Sequence, residues 1–241
     1  MFGDALRTLR TLGRRPLKFR RTRECPTALL GTPYGRYAIC PPLVDERSVV
    51  YSFGVGRDIS FDEELIARSG ATVHAFDPTP ATIEWLKSRP TPGRFVFHEW
   101  GIAEFDGTAT FHVPEDPAHV SHTMLASAKP ARGAIEVPVL RLQTTMQRLG
   151  HDRIDVLKLD IEGAECSVVK DVLASGTPIG QILIEFHHHR PEVPLAAIQE
   201  AVDELECAGF ERFHGNPRGY EFSFIGPDPV TRDRLRQATS S

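Results

Sequence analysis

Short apolar runs alternate with stretches of helical period from about residue 48 onward, and no other feature constrains the fold as tightly. The first run, 49–53, leads into Gly54-Val55-Gly56. Ser60 and Glu63 then have the spacing of a capping box, Phe61, Leu65 and Ile66 share one helical face, and Gly70 is a natural stop. A second run, 72–76, ends at Asp77-Pro78. Thr79-Pro80 offers an N-cap and a proline at the first helical position, opening a helix that carries Ile83, Trp85 and Leu86. A third strand is expected over 95–97. Strands joined through helices pair in parallel by right-handed crossovers, so the expected class is α/β with a mostly parallel sheet.

The rhythm breaks over 105–140. Two antiparallel excursions, 108–113 and 135–140, flank a polar segment containing His119, Ser121, His122 and Thr123. A loop of this length inside a compact domain is read as a lid or binding loop. Thr144 with Gln147 is expected to cap a short helix ending at Gly150. A fourth strand over 154–160, a helix over 164–174 and a fifth strand over 181–186 resume the alternation. An amphipathic helix over 195–208 stops at Gly209. Segments 210–214 and 220–225, around a Gly-Asn-Pro-Arg-Gly turn, read as a closing β-hairpin.

Charge is unevenly placed. The chain has a net charge of −4, yet residues 1–23 hold eight Lys/Arg against Asp4, or +7, and the other 218 residues carry −11. Such an arm suits a solvated tail, docking on its own body or an anionic surface, and it mimics an organellar transit segment without the apolar core of a secretory signal. The acidity of the body gives no strong nucleic-acid signal. No apolar run approaches the ~18 residues of a membrane-spanning helix. Cys25, Cys40, Cys166 and Cys207 form no CxxC pair, so a reducing compartment, the cytoplasm, is expected, with no structural zinc.

In an open α/β sheet ligands sit beyond the carboxyl ends of the strands. Phe53, Gly54 and Gly56 after the first strand allow close backbone approach. Asp77, 21 residues past Gly56, suits the two ribose hydroxyls of a nucleoside. A dinucleotide would need a third glycine where Ile59 stands, and Asp58, Asp62, Glu63 and Glu64 would repel a pyrophosphate. A cationic nucleoside cofactor, S-adenosylmethionine, fits these acids better than NAD. The fourth strand ends in Asp160, Ile161, Glu162 and the fifth in Glu185, Phe186, His187, so Asp160, Glu162, Glu185 and His187 are expected to share a cleft. Two carboxylates plus an imidazole could hold a divalent metal, but their spacing matches no tight ligand motif, and no metal is expected.

The stretches 51–62 (YSFGVGRDISFD), 75–80 (AFDPTP) and above all 154–165 (IDVLKLDIEGAE) make the chain resemble the FkbM-type S-adenosylmethionine-dependent methyltransferases over about 30–225. The resemblance implies a Rossmann-like class I methyltransferase sheet of seven strands and O-methylation of hydroxyls on sugars or natural products. It divides the chain into a basic arm 1–29, a methyltransferase domain 30–228 and a polar tail 229–241. The wider class has an acid two residues before the first glycine, where this chain has Ser52. Asp160 or Asp58 is then expected to meet the methionine ammonium.

On this reading Phe53, Gly54, Gly56, Asp58 and Asp160 hold the methionine part, Asp77 the ribose, and Glu99, Trp100 and Gly101 the adenine. Ser121, His122, Glu162 and His187 meet a small-molecule hydroxyl acceptor. His187, Asp160 and Glu185 are the catalytic candidates, with His187 or Asp160 as general base. Competing readings are a non-catalytic S-adenosylmethionine-binding scaffold, an N-methyltransferase acting on a protein or nucleic-acid amine, and an NAD-dependent oxidoreductase. Oligomeric state is not legible.

Overall fold

The computed structural model describes residues 20–112, 133–188, 190 and 192–239. Among the described residues the central sheet has seven strands. They are β3 (Val49–Phe53), β4 (Thr72–Phe76), β5 (Phe95–His98), β9 (Ile154–Leu159), β10 (Ile179–Glu185), β11 (Glu211–Gly215) and β12 (Glu221–Ile225), in the spatial order β11-β12-β10-β9-β3-β4-β5. Neighbours from β10 to β5 run parallel, and β12 pairs antiparallel with both β10 and β11. Strand order reverses between β3 and β9, and the carboxyl ends there frame the cleft. This is the α/β arrangement expected from the alternation, hairpin included.

Both faces of the sheet are covered, which explains why its strands read as near-continuous apolar runs. On one face Tyr51, Phe53, Leu157, Leu159, Ile182 and Ile184 pack against α3 (Leu142–Leu149), α4 (Glu165–Ser175) and α5 (Leu195–Cys207). On the other, Val50, Val73, Ala75, Val156 and Leu183 meet α1 (Ser60–Ser69), α2 (Pro80–Lys87) and a hairpin of β1 (Ala28–Leu30) and β2 (Tyr37–Ile39). The hairpin is stitched down: Cys40 N–H donates to Gln181 Oε1 at 2.7 Å, and Ser223 Oγ donates to the Ala38 carbonyl at 2.9 Å. A second sheet, β6 (Gly101–Ile102), β7 (Gly107–His112) and β8 (Ala134–Leu140), has the order β6-β8-β7 and contains the two expected excursions.

Gly70, Gly150 and Gly176 end α1, α3 and α4 in the left-handed conformation, and Thr79-Pro80 opens α2 as expected. The two capping boxes do not form. Ser60 lies inside α1 and its Oγ accepts from the Thr32 N–H at 2.8 Å, while Glu63 reaches Arg89 at 3.2 Å. Thr144 likewise lies inside α3 and donates to Asp106 Oδ2 at 2.8 Å. In each case a partner distant in sequence takes the hydroxyl that a local cap would have used.

The segment 229–241, read as a polar tail, carries α6 (Pro229–Thr239), whose Leu235 is fully buried beside Cys40, Leu43, Phe213 and Ile225. Arg153 anchors its start through Asp228 and Thr231. Within the expected arm, the Thr22 and Arg23 N–H groups donate to the Arg212 carbonyl. No helix among the described residues is long and apolar enough to cross a membrane.

Candidate active site

The glycine loop has two glycines with different duties. Gly54 has φ 75°, and a Cβ there would sit on the Asp160 carbonyl oxygen, so this glycine lets the ends of β3 and β9 close together. Gly56 has φ 53° with nothing within 4 Å of where a Cβ would be, leaving its backbone open to a ligand. Its N–H donates to Asp77 Oδ2 at 2.9 Å, and Asp77 Oδ1 accepts from Thr79 N–H and Oγ–H at 2.9 and 2.6 Å. Asp77 thus ties the loop to the turn after β4. Phe53, fully buried, stacks on Phe76 at 4.2 Å. The Asp58 carboxylate accepts from Thr32 Oγ and from Ser60 N–H, fastening the β1–β2 turn to the start of α1.

Asp160, Glu162, Glu185 and His187 do converge. His187 is 1% exposed; its Nδ1 lies 2.8 Å from Oε1 of the fully buried Glu165, whose carboxylate also accepts from Gly163 N–H. Its Nε2 is 3.5 Å from Asp160 Oδ1, 3.4 Å from Glu162 Oε2 and 4.0 Å from Glu185 Oε1. Glu162 is bridged to Arg190 and sits at φ 55°, a left-handed conformation uncommon outside glycine. Tyr37 Oη donates to Asp160 Oδ2 at 3.0 Å and approaches Glu185 Oε2 at 3.4 Å. Lys158, 4% exposed, places its ammonium 4.8 Å from the centre of the Tyr37 ring. One donor atom from each of Asp160, Glu185 and His187 lies within 4.8 Å of the other two.

Electrostatics follow from this crowding. Burial opposes charge on His187, but Glu162, Glu165 and Glu185 overcome it and push the imidazole up to about 10. Burial, with Glu162, pushes the Asp160 carboxyl above its ordinary value against the pull of Lys158 and His187. Burial and the neighbouring Asp160 and Glu185 push the Tyr37 hydroxyl well up, so it stays a proton donor. Asp62, beside Lys158 and Ser52 under the glycine loop, is pushed up to about 6 by burial.

Glu99 is exposed and pairs with Lys87 at 2.8 Å. Trp100 is half-buried against His98 and Phe76, and its Nε1 has no hydrogen-bond partner among the described residues. A Cβ on Gly101 would press on Pro78 and Val139, so this glycine lets β6 abut the corner after β4. A cavity of about 400 Å³ is lined by Glu99, Trp100, Asp106, Gly107, Pro138, Leu140 and Arg148. Ser121 and His122 lie outside the described residues.

Three members of the site were not expected from sequence: Tyr37, Glu165 as the partner of His187, and Arg190. Tyr37 was detectable through an apolar Ala-Leu-Leu and Tyr-Ala-Ile pair flanking a turn with two glycines. Glu165 reads equally well as a helix-start acid, and Arg190 has no local signal.

The chain matches the family described as Methyltransferase domain over residues 35–225. It is 26% identical over 189 residues to a probable methyltransferase-like protein 24 of Rattus norvegicus, covering 74% of this chain and 46% of that one. The chain thus spans about half the length of the curated relatives it matches. Among solved structures, the methyltransferase FkbM of Methylobacillus flagellatus KT is 15% identical with a TM-score of 0.45, covering 75% of this chain and 44% of that one. The fibrillarin pre-rRNA processing protein of Methanococcus jannaschii is 10% identical with a TM-score of 0.47, covering 87% of this chain and 86% of that one.

Proposed function

Because the chain belongs to the methyltransferase domain family, we propose that it methylates a hydroxyl oxygen on a small molecule. The observation that carries this reading is the acidic cluster of Asp160, Glu162 and Glu185 at the reversal of strand order, beside the open backbone of Gly56. The donor is S-adenosylmethionine, which when bound supplies an electrophilic methyl on a sulfonium. The residues present fit it. Gly56 leaves room at the loop, Asp77 Oδ2 keeps one lone pair for a ribose hydroxyl beside that used by Gly56, and the cavity beside Trp100 has the size of a base-binding pocket. Glu99 lines that cavity, and Gly101 and Phe53 are assigned to the donor from their places at the start of β6 and the end of β3.

Most of the acceleration comes from holding the acceptor oxygen in line with the methyl. The acceptor's proton is the remaining difficulty, and oxygen bases near neutral pH remove it best when their pKa is raised. Asp160 is the most exposed member of the cluster, at 25% of its side chain against 11% for Glu185 and 1% for His187, and receives the proton. Tyr37 and His187 hold Asp160 in place, Glu185 shares the Tyr37 hydroxyl with it, and Glu162 faces the acceptor from the left-handed turn. Ser121 and His122, which lie outside the described residues, are assigned to the acceptor.

Calorimetric titration with S-adenosylmethionine and with NAD tests the donor. Mass spectrometry after incubation with donor and a metabolite extract tests the transfer. Binding of the donor and a product heavier by one CH2 on oxygen are expected. Binding of NAD alone overturns the reading, and methylation confined to protein or nucleic-acid amines overturns the acceptor class.

A further inference from the structure

The geometry points to a divalent-cation site formed by Asp160, Glu185 and His187 at the carboxyl ends of β9 and β10. Charge-assisted N–H···O bonds close to about 2.7–2.9 Å. The 3.5 and 4.0 Å separations of His187 Nε2 from Asp160 Oδ1 and Glu185 Oε1 are longer, and both fall within the span that two ligands each about 2.0–2.2 Å from one ion can have.

Each ligand is fixed from behind. Glu165, itself fully buried, accepts the Nδ1–H of His187 at 2.8 Å and so turns Nε2 toward the two carboxylates. A carboxylate behind a metal-ligating imidazole does this in metalloproteins generally. On the opposite side the Tyr37 hydroxyl engages Asp160 Oδ2 and approaches Glu185 Oε2, which leaves Oδ1 and Oε1 on the side of His187. Glu162 Oε2, 3.4 Å from His187 Nε2, is held by Arg190 as an ion pair and borders the site. Carboxylates outnumber the cations facing them, with Glu221 opposite Glu185 on β12 adding another acid.

Two carboxylate oxygens and the imidazole nitrogen, whose Nε2 proton the ion displaces to solvent, suit Mn²⁺, with Mg²⁺ weaker because of the nitrogen. The remaining coordination positions open on the Asp160 side, toward the cleft. A hydroxyl joining the ion as a ligand is acidified, and the cluster's carboxylates then have an easier proton to take. That use rests on the methyl-transfer reading; the binding of the ion does not.

The test is titration of the EDTA-stripped full chain with Mn²⁺, followed by electron paramagnetic resonance, with neither donor nor acceptor present. One bound ion per chain is expected, with nitrogen coupling in its spectrum that His187→Gln removes. Glu185→Gln should weaken binding at least tenfold, and Glu165→Gln by about 10–100-fold as a positioning residue. Asp233→Asn, on exposed α6, should change nothing. Circular dichroism identifies any variant that fails to fold, and the wild-type stoichiometry stands apart from all of them. Absence of a stoichiometric ion on the folded wild-type chain, or equal affinity in folded Glu185→Gln and His187→Gln, overturns the site. Calorimetry with S-adenosylmethionine in EDTA judges the methyl-transfer reading separately.

Discussion

Tyr37 shows how much one side chain can organise. Its ring packs edge-on against Phe61 at 5.6 Å and lies under the Lys158 ammonium, while its hydroxyl serves two carboxylates. Tyr37→Phe keeps the packing and removes the donor, so stability should fall by about 1–2 kcal/mol by urea denaturation. Turnover should fall about tenfold with donor affinity unchanged. Loss of donor affinity instead would place the hydroxyl in the donor's own pocket. Asp77→Asn should weaken S-adenosylmethionine binding about tenfold, near 1.4 kcal/mol, by calorimetry; equal affinity would sink its ribose role. The acids of the cleft were legible in the sequence because they fall at strand tips, where period and topology fix position. Arg190 was not, because it lies in a loop with no period of its own, and Tyr37 left only the faint signal of two three-residue strands around a glycine turn.

At the scale of elements, the glycine loop separates packing from binding. Gly54→Ala forces a methyl onto the Asp160 carbonyl at positive φ and should destabilise the fold by more than about 3 kcal/mol. Gly56→Ala meets no neighbour, costs about 1 kcal/mol for its backbone, and should act on donor affinity instead. Denaturation midpoints and calorimetry on the pair distinguish the two, and similar stability losses in both would remove the distinction. Helix α6 belongs to the body as well: Leu235→Ala should cost about 2–4 kcal/mol. Strands and crossover helices could be read from sequence because period reports burial. Caps and the last helix could not, since distant partners decide them: Thr32 for Ser60, Asp106 for Thr144, and Arg153 for the start of α6.

For the whole molecule, pH acts through a group of half-buried histidines far from the acidic cluster in sequence. His74 Nδ1 and His98 Nε2 are 3.0 Å apart, His151 meets His74 edge-on, and Tyr51 Oη is 2.7 Å from His151 Nδ1. Burial, then the neighbouring His151, holds both His74 and His98 down to about 4. The unfolded chain takes up these protons near pH 6.5, earlier than the folded one. Their contribution to stability is therefore complete above about pH 6.5 and lost as pH falls toward 4. Urea midpoints should drop between pH 7 and pH 5, and less steeply in His74→Gln/His98→Gln; parallel slopes would refute the assignment.

The position of β12 between β11 and β10 has a consequence for how the chain is made. Until residues 221–225 leave the ribosome, β10 has one edge of unmatched amides and carbonyls, and its Ile182 and Ile184 belong to an unfinished core. A nascent or truncated chain ending before β12 would offer that edge to any other copy, and strand edges of this kind seed aggregation. Production of the chain cut after residue 209 should therefore give inclusion bodies, while the chain that includes β12 gives dispersed monomers or regular oligomers.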